Sequence, residues 1–183
     1  MTPPARPGRN ARLSWTTRDV LDAPTPVVPV NLVGVMGRGL ALAARNRWSG
    51  ISAAYAAALA SRRLRGPRVG PNEREPATAV AWPAPTQQVV ILAPTKQHWR
   101  APSPPELVRD AVQALVPTAR AARRRSLNVP PLGCGLGGLS PRIVLPWVLD
   151  AVEASPDIRW TLHRWPHELL VEAADRISRI RTA

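Results

Sequence analysis

The stretch "VVPVNLVGVMGRGLALAARNRW", Val27 to Trp48, decides the fold. Its opening residues are apolar and rich in valine, which reads as a buried strand running into glycines. Beyond the glycines Leu40, Ala43, Ala44 and Arg47 recur at helical spacing, so strand, glycine turn and helix follow one another within about twenty residues. Where a strand ends and a helix begins, backbone N–H groups and the helix dipole make a site for an anion such as phosphate. The plainer reading of the same glycines is a tight turn that needs positive φ. A Walker A loop is excluded, because GxxxxGK[ST] requires a lysine and a hydroxyl where this loop continues Arg38, Gly39, Leu40.

Outward from this unit the pattern repeats. "SAAYAAALASRRL" (52–64) predicts a helix closed by Gly66 and Pro67, and the Pro- and Gly-rich segment after it predicts loops with one short strand at Thr78–Trp82. "VVILA" from Val89 is the clearest strand and delivers Pro94, Thr95 and Lys96 at its end. "SPPELVRDAVQALVPTARAARR" predicts a helix with Ser103 as its N-cap and prolines in its first turn, "SLNVPPL" a strand, and "SPRIVLPWVLDAVEAS" another helix. "IRWTLHRW" predicts a short strand, and Pro166 opens a terminal helix. Strands alternating with helices imply a layered α/β domain on a largely parallel sheet. Residues 1–10 hold Pro, Arg and Gly with little to bury and read as a disordered basic tail, leaving 11–183 as one domain whose order begins near Leu13.

Composition narrows the partners. Against 25 Lys and Arg stand 12 Asp and Glu, a formal charge of +13 in 183 residues, which favours polyanions such as nucleic acid or phosphorylated ligands. A bias toward Arg, Ala and Pro throughout a source proteome accounts for part of the imbalance. The single cysteine, Cys134, excludes an internal disulfide framework, and no Cys/His set has zinc spacing, so no metal and no cofactor are expected. His163 and His167 are four apart, but Pro166 intervenes and no carboxylate completes a site; both are read as structural. Without a long apolar window the chain is expected to be a cytoplasmic monomer with no membrane partner. Seven Trp and no Phe place Trp in the core, with Trp48 and Trp147 as examples, and "RAARRRS" (120–126) reads as a solvated helix end.

A second glycine loop, "PPLGCGLGGL" (Pro130–Leu139), also leaves a strand and enters a helix, and Gly133, Gly135 and Gly138 formally match GxGxxG. A dinucleotide fingerprint normally begins a βαβ unit, whereas only 45 residues follow Gly138. Two glycine loops at two strand ends fit better as a pair gripping one diphosphate from both sides.

Together "VNLVGVMGRGLALAARNRW", "PTKQHWR" and "PPLGCGLGGL" resemble, in order and spacing, the three signature segments of macrodomains, in particular the branch of DNA ADP-ribosyl glycohydrolase antitoxins. The resemblance covers roughly Leu13 to Trp165. It implies a three-layer α/β/α fold with a mixed, largely parallel sheet whose cleft binds ADP-ribose. It also implies that Asn31 contacts the ribose beside the scissile bond and that Gly34, Val35, Met36, Gly37, Gly39 and Leu40 embrace the diphosphate. Gly133, Cys134, Gly135, Leu136, Gly137, Gly138 and Leu139 would close over it, with Thr95 adding a contact. Lys96, at the lysine of the PTK segment, would be the catalytic residue together with Asn31.

Lys96 is the chain's only lysine among its 25 Lys and Arg, and the chemistry explains why an amine is kept there. Cleaving the N-glycosidic bond between ADP-ribose and a base passes through a cation-like sugar carbon, which calls for leaving-group assistance and a nucleophile. An ammonium can give a proton or hydrogen bond to the departing base, and an uncharged amine can attack the anomeric carbon. Arginine does neither readily. Downstream, His98, Trp99 and Arg100 are candidates to contact a nucleic-acid backbone and stack on a base, with Arg38 as a further contact.

Departures from the branch pattern are specific. Relatives usually carry a second Asn three residues before Asn31, where this chain has Val28, and often an Asn ahead of the PTK segment, where it has Leu92. Macrodomains that release ADP-ribose from protein carboxylates with a comparable lysine keep an acid where this chain has Gly137. The expected function is therefore removal of ADP-ribose from nucleic-acid bases, DNA foremost, as antitoxin to a DNA ADP-ribosyltransferase toxin. The alternatives are a binding module that recognises ADP-ribose without turnover, or a hydrolase of ADP-ribosyl protein or ADP-ribose phosphate.

Overall fold

The computed structural model describes residues 12–69 and 74–182; the proposed tail, 1–10, lies outside them. Its central layer is built from β1 (Leu13–Thr16), β2 (Val27–Asn31), β5 (Val80–Pro83), β6 (Val89–Lys96), β7 (Ser126–Val129) and β8 (Arg159–His163). A separate two-stranded ribbon pairs β3 (Arg68–Val69) with β4 (Arg74–Glu75). One half of the layer runs β1-β8-β7 and the other β2-β6-β5, and a parallel bridge from Pro26 to Asn128 joins them. All these pairings are parallel except β5 with β6, which makes the sheet mixed and largely parallel, as expected.

Strand alternation sorts the core into two. In β2, Val27 and Val28 point to opposite faces, as do Val90 and Ile91 in β6. One face packs on α1 (Gly39–Arg47) and α2 (Ile51–Ala60) through Ala44, Ile51, Tyr55 and Ala58. The other packs on α3 (Pro105–Ala121) and α4 (Pro141–Glu153) through Val108, Val112, Leu115, Val144 and Val148, joined by α5 (His167–Glu172) and α6 (Ala174–Thr182). This is the three-layer arrangement that the sequence predicted.

The structure differs from the sequence reading in places, each with a local cause. Strand β1 gains its partner only from β8, almost at the other end of the chain, so nothing local marks it. Helix α2 stops at Ala60 rather than Leu64, because Ser61 Oγ donates back to the Ala57 carbonyl at 2.8 Å and Arg62 takes a left-handed φ of 58°. The terminal helical stretch is divided between α5 and α6. Ser103 is not the N-cap of α3: the cap is Pro104, and Ser103 stands one residue too early for its side chain to reach the first turn. Trp48 is buried as expected, whereas Trp147 packs against the core only partly buried.

Chain direction then places the site. After β2 the chain crosses to the α1/α2 face, and after its neighbours β6 and β7 it crosses to the α3/α4 face. Adjacent parallel strands whose connections part to opposite faces leave a crevice at their C-terminal ends.

Candidate active site

At that crevice β2 ends in Asn31 and β6 in Lys96, which are register partners beyond an irregularity between Val30 and Asn31. Such irregularities re-aim side chains at strand ends. A cleft of about 850 Å³ opens there. From the first loop and the start of α1 it is lined by Val35, Gly37, Arg38, Gly39 and Leu40; from the second loop by Gly133, Gly135, Leu136 and Gly137. Between them lie Asn31, Thr95, Lys96, Trp99 and Arg100.

The first loop is held from within. Asn31, only 7% exposed, accepts at Oδ1 from the amides of Val33 (3.1 Å) and Val35 (3.2 Å) and donates from Nδ2 to the Val35 carbonyl at 2.6 Å. Buried Tyr55 reaches up from α2, donating to the Asn31 carbonyl and lying 3.1 Å from its Oδ1; burial pushes the phenol well above its ordinary range, so it stays a neutral donor. Gly39 at φ 55° turns the chain into α1, whose N-terminus has no side-chain cap. Among the described residues the amides of Gly37, Gly39 and Leu40 donate to no protein acceptor.

The second loop is held from outside. Lys96 Nζ donates to the Leu136 carbonyl at 2.5 Å and lies 3.5 Å from the Trp99 carbonyl. The Ser103 amide donates to the Gly137 carbonyl at 2.9 Å. Gly137 has room for nothing larger, since a Cβ there would fall 2.2 Å from the Gly133 carbonyl oxygen and 2.3 Å from Ser103 Oγ. That hydroxyl is buried and has no hydrogen-bond partner among the described residues. The amides of Gly135, Leu136 and Gly137 also donate to no protein acceptor among the described residues. Leu136 itself is 64% exposed and leans on Gly39, so the two loops meet across the cleft.

Arg38, Lys96 and Arg100 border this cleft, and among the described residues no Asp or Glu does. Cations and unpaired amides on both walls suit a ligand carrying phosphates. With no carboxylate or imidazole in the wall among the described residues, Lys96 is the amine there able to act as acid, base or nucleophile.

Several residues singled out from sequence lie off this wall. Gly34 turns at φ 84° beneath Tyr55's helix, and Met36 is a core side chain accepting weakly from Ser52 Oγ. Cys134 donates to the Leu132 carbonyl, and burial raises its thiol to about 11, which keeps it unreactive at neutral pH. Leu139 packs beneath Gly133, and a side chain on Gly138 would meet open space. His98 stacks on Trp99 with ring centroids 5.5 Å apart but does not line the cleft. Val28 and Leu92 are fully buried against the α1/α2 layer and are register partners, so their lack of polar atoms takes nothing from the cleft. Ser103, Pro29, Pro130 and Pro131 do line it and were not anticipated. The two prolines follow directly from β7, so their place was readable once that strand was paired; Ser103's was hidden by its resemblance to a cap.

His163 is a structural group, its Nδ1 at 3.2 Å from the Arg18 carbonyl and its Nε2 at 3.1 Å from Asn128 Oδ1. No group of three or more His, Cys, Asp or Glu able to hold a metal occurs among the described residues, and no helix there is long and apolar enough to cross a membrane.

Comparison with known proteins returns the same architecture. The Macro domain family matches residues 27–148. A curated relative, "DNA ADP-ribosyl glycohydrolase" of Thermus aquaticus, is 34% identical over 144 residues, 78% of this chain and 38% of its own length. The chain thus spans about two fifths of the length of these curated relatives. Among solved structures, the "Macrodomain of Mycobacterium tuberculosis DarG" superposes with a TM-score of 0.67 at 29% identity, covering 84% of this chain and 98% of that one. "Thermosipho africanus DarTG in complex with ADP-ribose" superposes with a TM-score of 0.71 at 25% identity, covering 87% and 44%.

Proposed function

The chain belongs to the Macro domain family, and from that premise we propose that it is a glycohydrolase that removes ADP-ribose from nucleic-acid bases, with DNA as the substrate. The observation that carries the reading is the placement of the chain's single lysine: Lys96 ends β6 in a cleft with no carboxylate among its described lining, between two glycine loops whose amides are unpaired among the described residues. The loops hold the diphosphate, and Lys96 assists the departing base or attacks the anomeric carbon, with Asn31 keeping the first loop against the ribose. The crowded α-carbon of Gly137 leaves no room for an acid at that position of the second loop, which favours a base over a protein carboxylate as leaving group.

A relative from Thermosipho africanus named "DNA ADP-ribosyl transferase-DNA ADP-ribosyl glycohydrolase fusion protein", 30% identical over 67% of this chain, supports an antitoxin role against such a transferase. We place that role in the cytoplasm and assign it to a monomer. One observation favours a non-catalytic reader instead: Lys96 Nζ is spent on the Leu136 carbonyl and so can be read as a structural tie. The test is release of ADP-ribose by the wild-type protein from a modified single-stranded oligonucleotide and from an ADP-ribosylated glutamate peptide. Release from the oligonucleotide alone is expected; release from neither substrate leaves the reader.

A further inference from the structure

A second cavity, of about 1030 Å³, lies along the outer edge of the sheet and shares no lining residue with the cleft around Lys96. It runs between α3 and β5, the last strand in the order β2-β6-β5. Val80 and Trp82 turn toward the α1/α2 layer, so strand alternation sets Ala81 and Pro83 on the α3 side. With Ala114, Pro117 and Ala121 of the helix they make a floor of small apolar side chains. Between Asp110 and Ala121, both in its lining, the helix rises about 17 Å, room for about five residues of extended chain.

The charge around this groove is uncompensated. Arg62, Arg63, Arg65 and Arg124 border it, and among the described residues only Arg65 has a carboxylate partner, Glu75 at 3.1 Å. Arg65 and Arg124 each keep a buried Nε with no hydrogen-bond partner among the described residues. The one carboxylate in the described lining, Asp110, is 1% exposed and is taken by Arg74 Nη2 at 2.6 Å and the Ala77 amide at 3.2 Å. Cations without counterions call for an anionic occupant.

The groove's other groups narrow the kind of anion. No aromatic ring lines it among the described residues, so a nucleic-acid strand would find no stacking face there. Pro117 has no N–H, which leaves the carbonyl of Gln113, a residue of the same lining, without its helical donor. Strand β5 pairs with β6 along one side only, so its other edge forms a lip of backbone groups. Such surroundings suit a chain that brings amide donors and apolar side chains along with its carboxylates.

We propose that this groove is a docking site for an extended, acidic segment of a partner protein. Its carboxylates meet the four arginines and its apolar side chains rest on the floor of alanines and prolines. Because the two linings are separate, a docked segment leaves the cleft at Lys96 open.

The test uses a phage-displayed library of random seven-residue peptides, selected on the wild-type protein with an excess of the double variant Arg63→Glu, Gln113→Glu as competitor. Both side chains are exposed and Gln113→Glu is isosteric, so the variant should keep the wild-type thermal midpoint. If it does not, Arg63→Glu alone takes its place. Enriched peptides should alternate acidic and apolar residues, and in fluorescence anisotropy they should bind the variant at least about tenfold more weakly. Free ADP-ribose should not displace them. No enrichment over the variant, or enrichment of sequences without acidic residues, overturns the proposal. Displacement by ADP-ribose does so as well, since it would put the peptides in the cleft. A labelled single-stranded oligonucleotide that binds wild type more tightly than the peptides, and is lost in the variant, would make the groove a nucleic-acid surface and overturn it too. None of these outcomes depends on release of ADP-ribose, so this proposal and the enzyme reading fail separately.

Discussion

The two glycine loops face one another across the same cleft and are built on opposite principles. The first closes on itself: Asn31 gathers the amides of Val33 and Val35, Tyr55 braces it from below, and Met36 anchors it in the core. The second depends on groups from elsewhere in the chain, with Lys96 on the Leu136 carbonyl and the Ser103 amide on the Gly137 carbonyl. A wall that holds its own shape can present unpaired amides before any ligand arrives, which lowers the cost of ordering on binding. On the proposed chemistry, a wall tied down by Lys96 must exchange that tie when the amine turns to a substrate. The first loop is therefore a fixed cradle, and the second is a cover whose position reports on Lys96.

The sharpest way to break this contrast is to crowd the second loop. A methyl at Gly137 collides with the Gly133 carbonyl and Ser103 Oγ, so Gly137→Ala should force the loop off its support. Overpacking of this kind costs about 1–3 kcal/mol, and ADP-ribose affinity measured by calorimetry should fall toward 100-fold, at about tenfold per 1.4 kcal/mol. Gly135→Ala meets no protein atom within 4 Å and should leave unfolding free energy within about 0.5 kcal/mol of wild type.

The first loop should fail differently, through stability. Asn31→Ala removes a buried side chain that satisfies three part-buried loop groups, and should lower unfolding free energy by about 1–3 kcal/mol in a urea titration. Tyr55→Phe removes one buried hydroxyl and should cost about 1 kcal/mol. If either variant kept full stability and lost only ligand affinity, the cradle would be no more self-supporting than the cover.

The smallest expected effect lies away from both loops. Burial holds the His163 imidazole below its ordinary value of 6.5. The unfolded chain therefore takes up a proton that the folded one resists as pH falls through that value, and stability falls with it. Thermal midpoints should decline modestly from pH 7.5 to 5.5, and the decline should shrink in His163→Gln. An unchanged slope would remove His163 from the account of acid sensitivity while leaving the loops untouched.

Most of the layered fold was legible because it is written in local pattern. Runs such as Val89–Ala93 are apolar and bounded by turn residues, and the glycines fall where strands give way to helices. What was not legible depends on distant pairing. β1 is four residues long and exists through β8, and Ser103 looks like a cap until Pro104 takes that position and its own amide turns out to hold Gly137. Val28 and Leu92 suggested polar groups missing from the site; strand alternation sends both side chains to the core. Within the candidate site, the sequence pointed to both loops and to the lysine between them. It carried no sign of which residues of each loop face the cleft, as the contrast between Gly137 and Gly138 shows.

The central claim is that the loops bind and the Lys96 amine reacts, and one paired measurement separates the two. Lys96→Arg keeps a guanidinium donor for the Leu136 carbonyl but loses an amine able to protonate a leaving group or attack a carbon. Release of ADP-ribose from a modified single-stranded oligonucleotide should fall by at least about 100-fold in this variant, while calorimetric affinity for free ADP-ribose changes by less than about threefold. Substantial and equal release by Lys96→Arg and wild type would contradict the assignment of chemistry to Lys96.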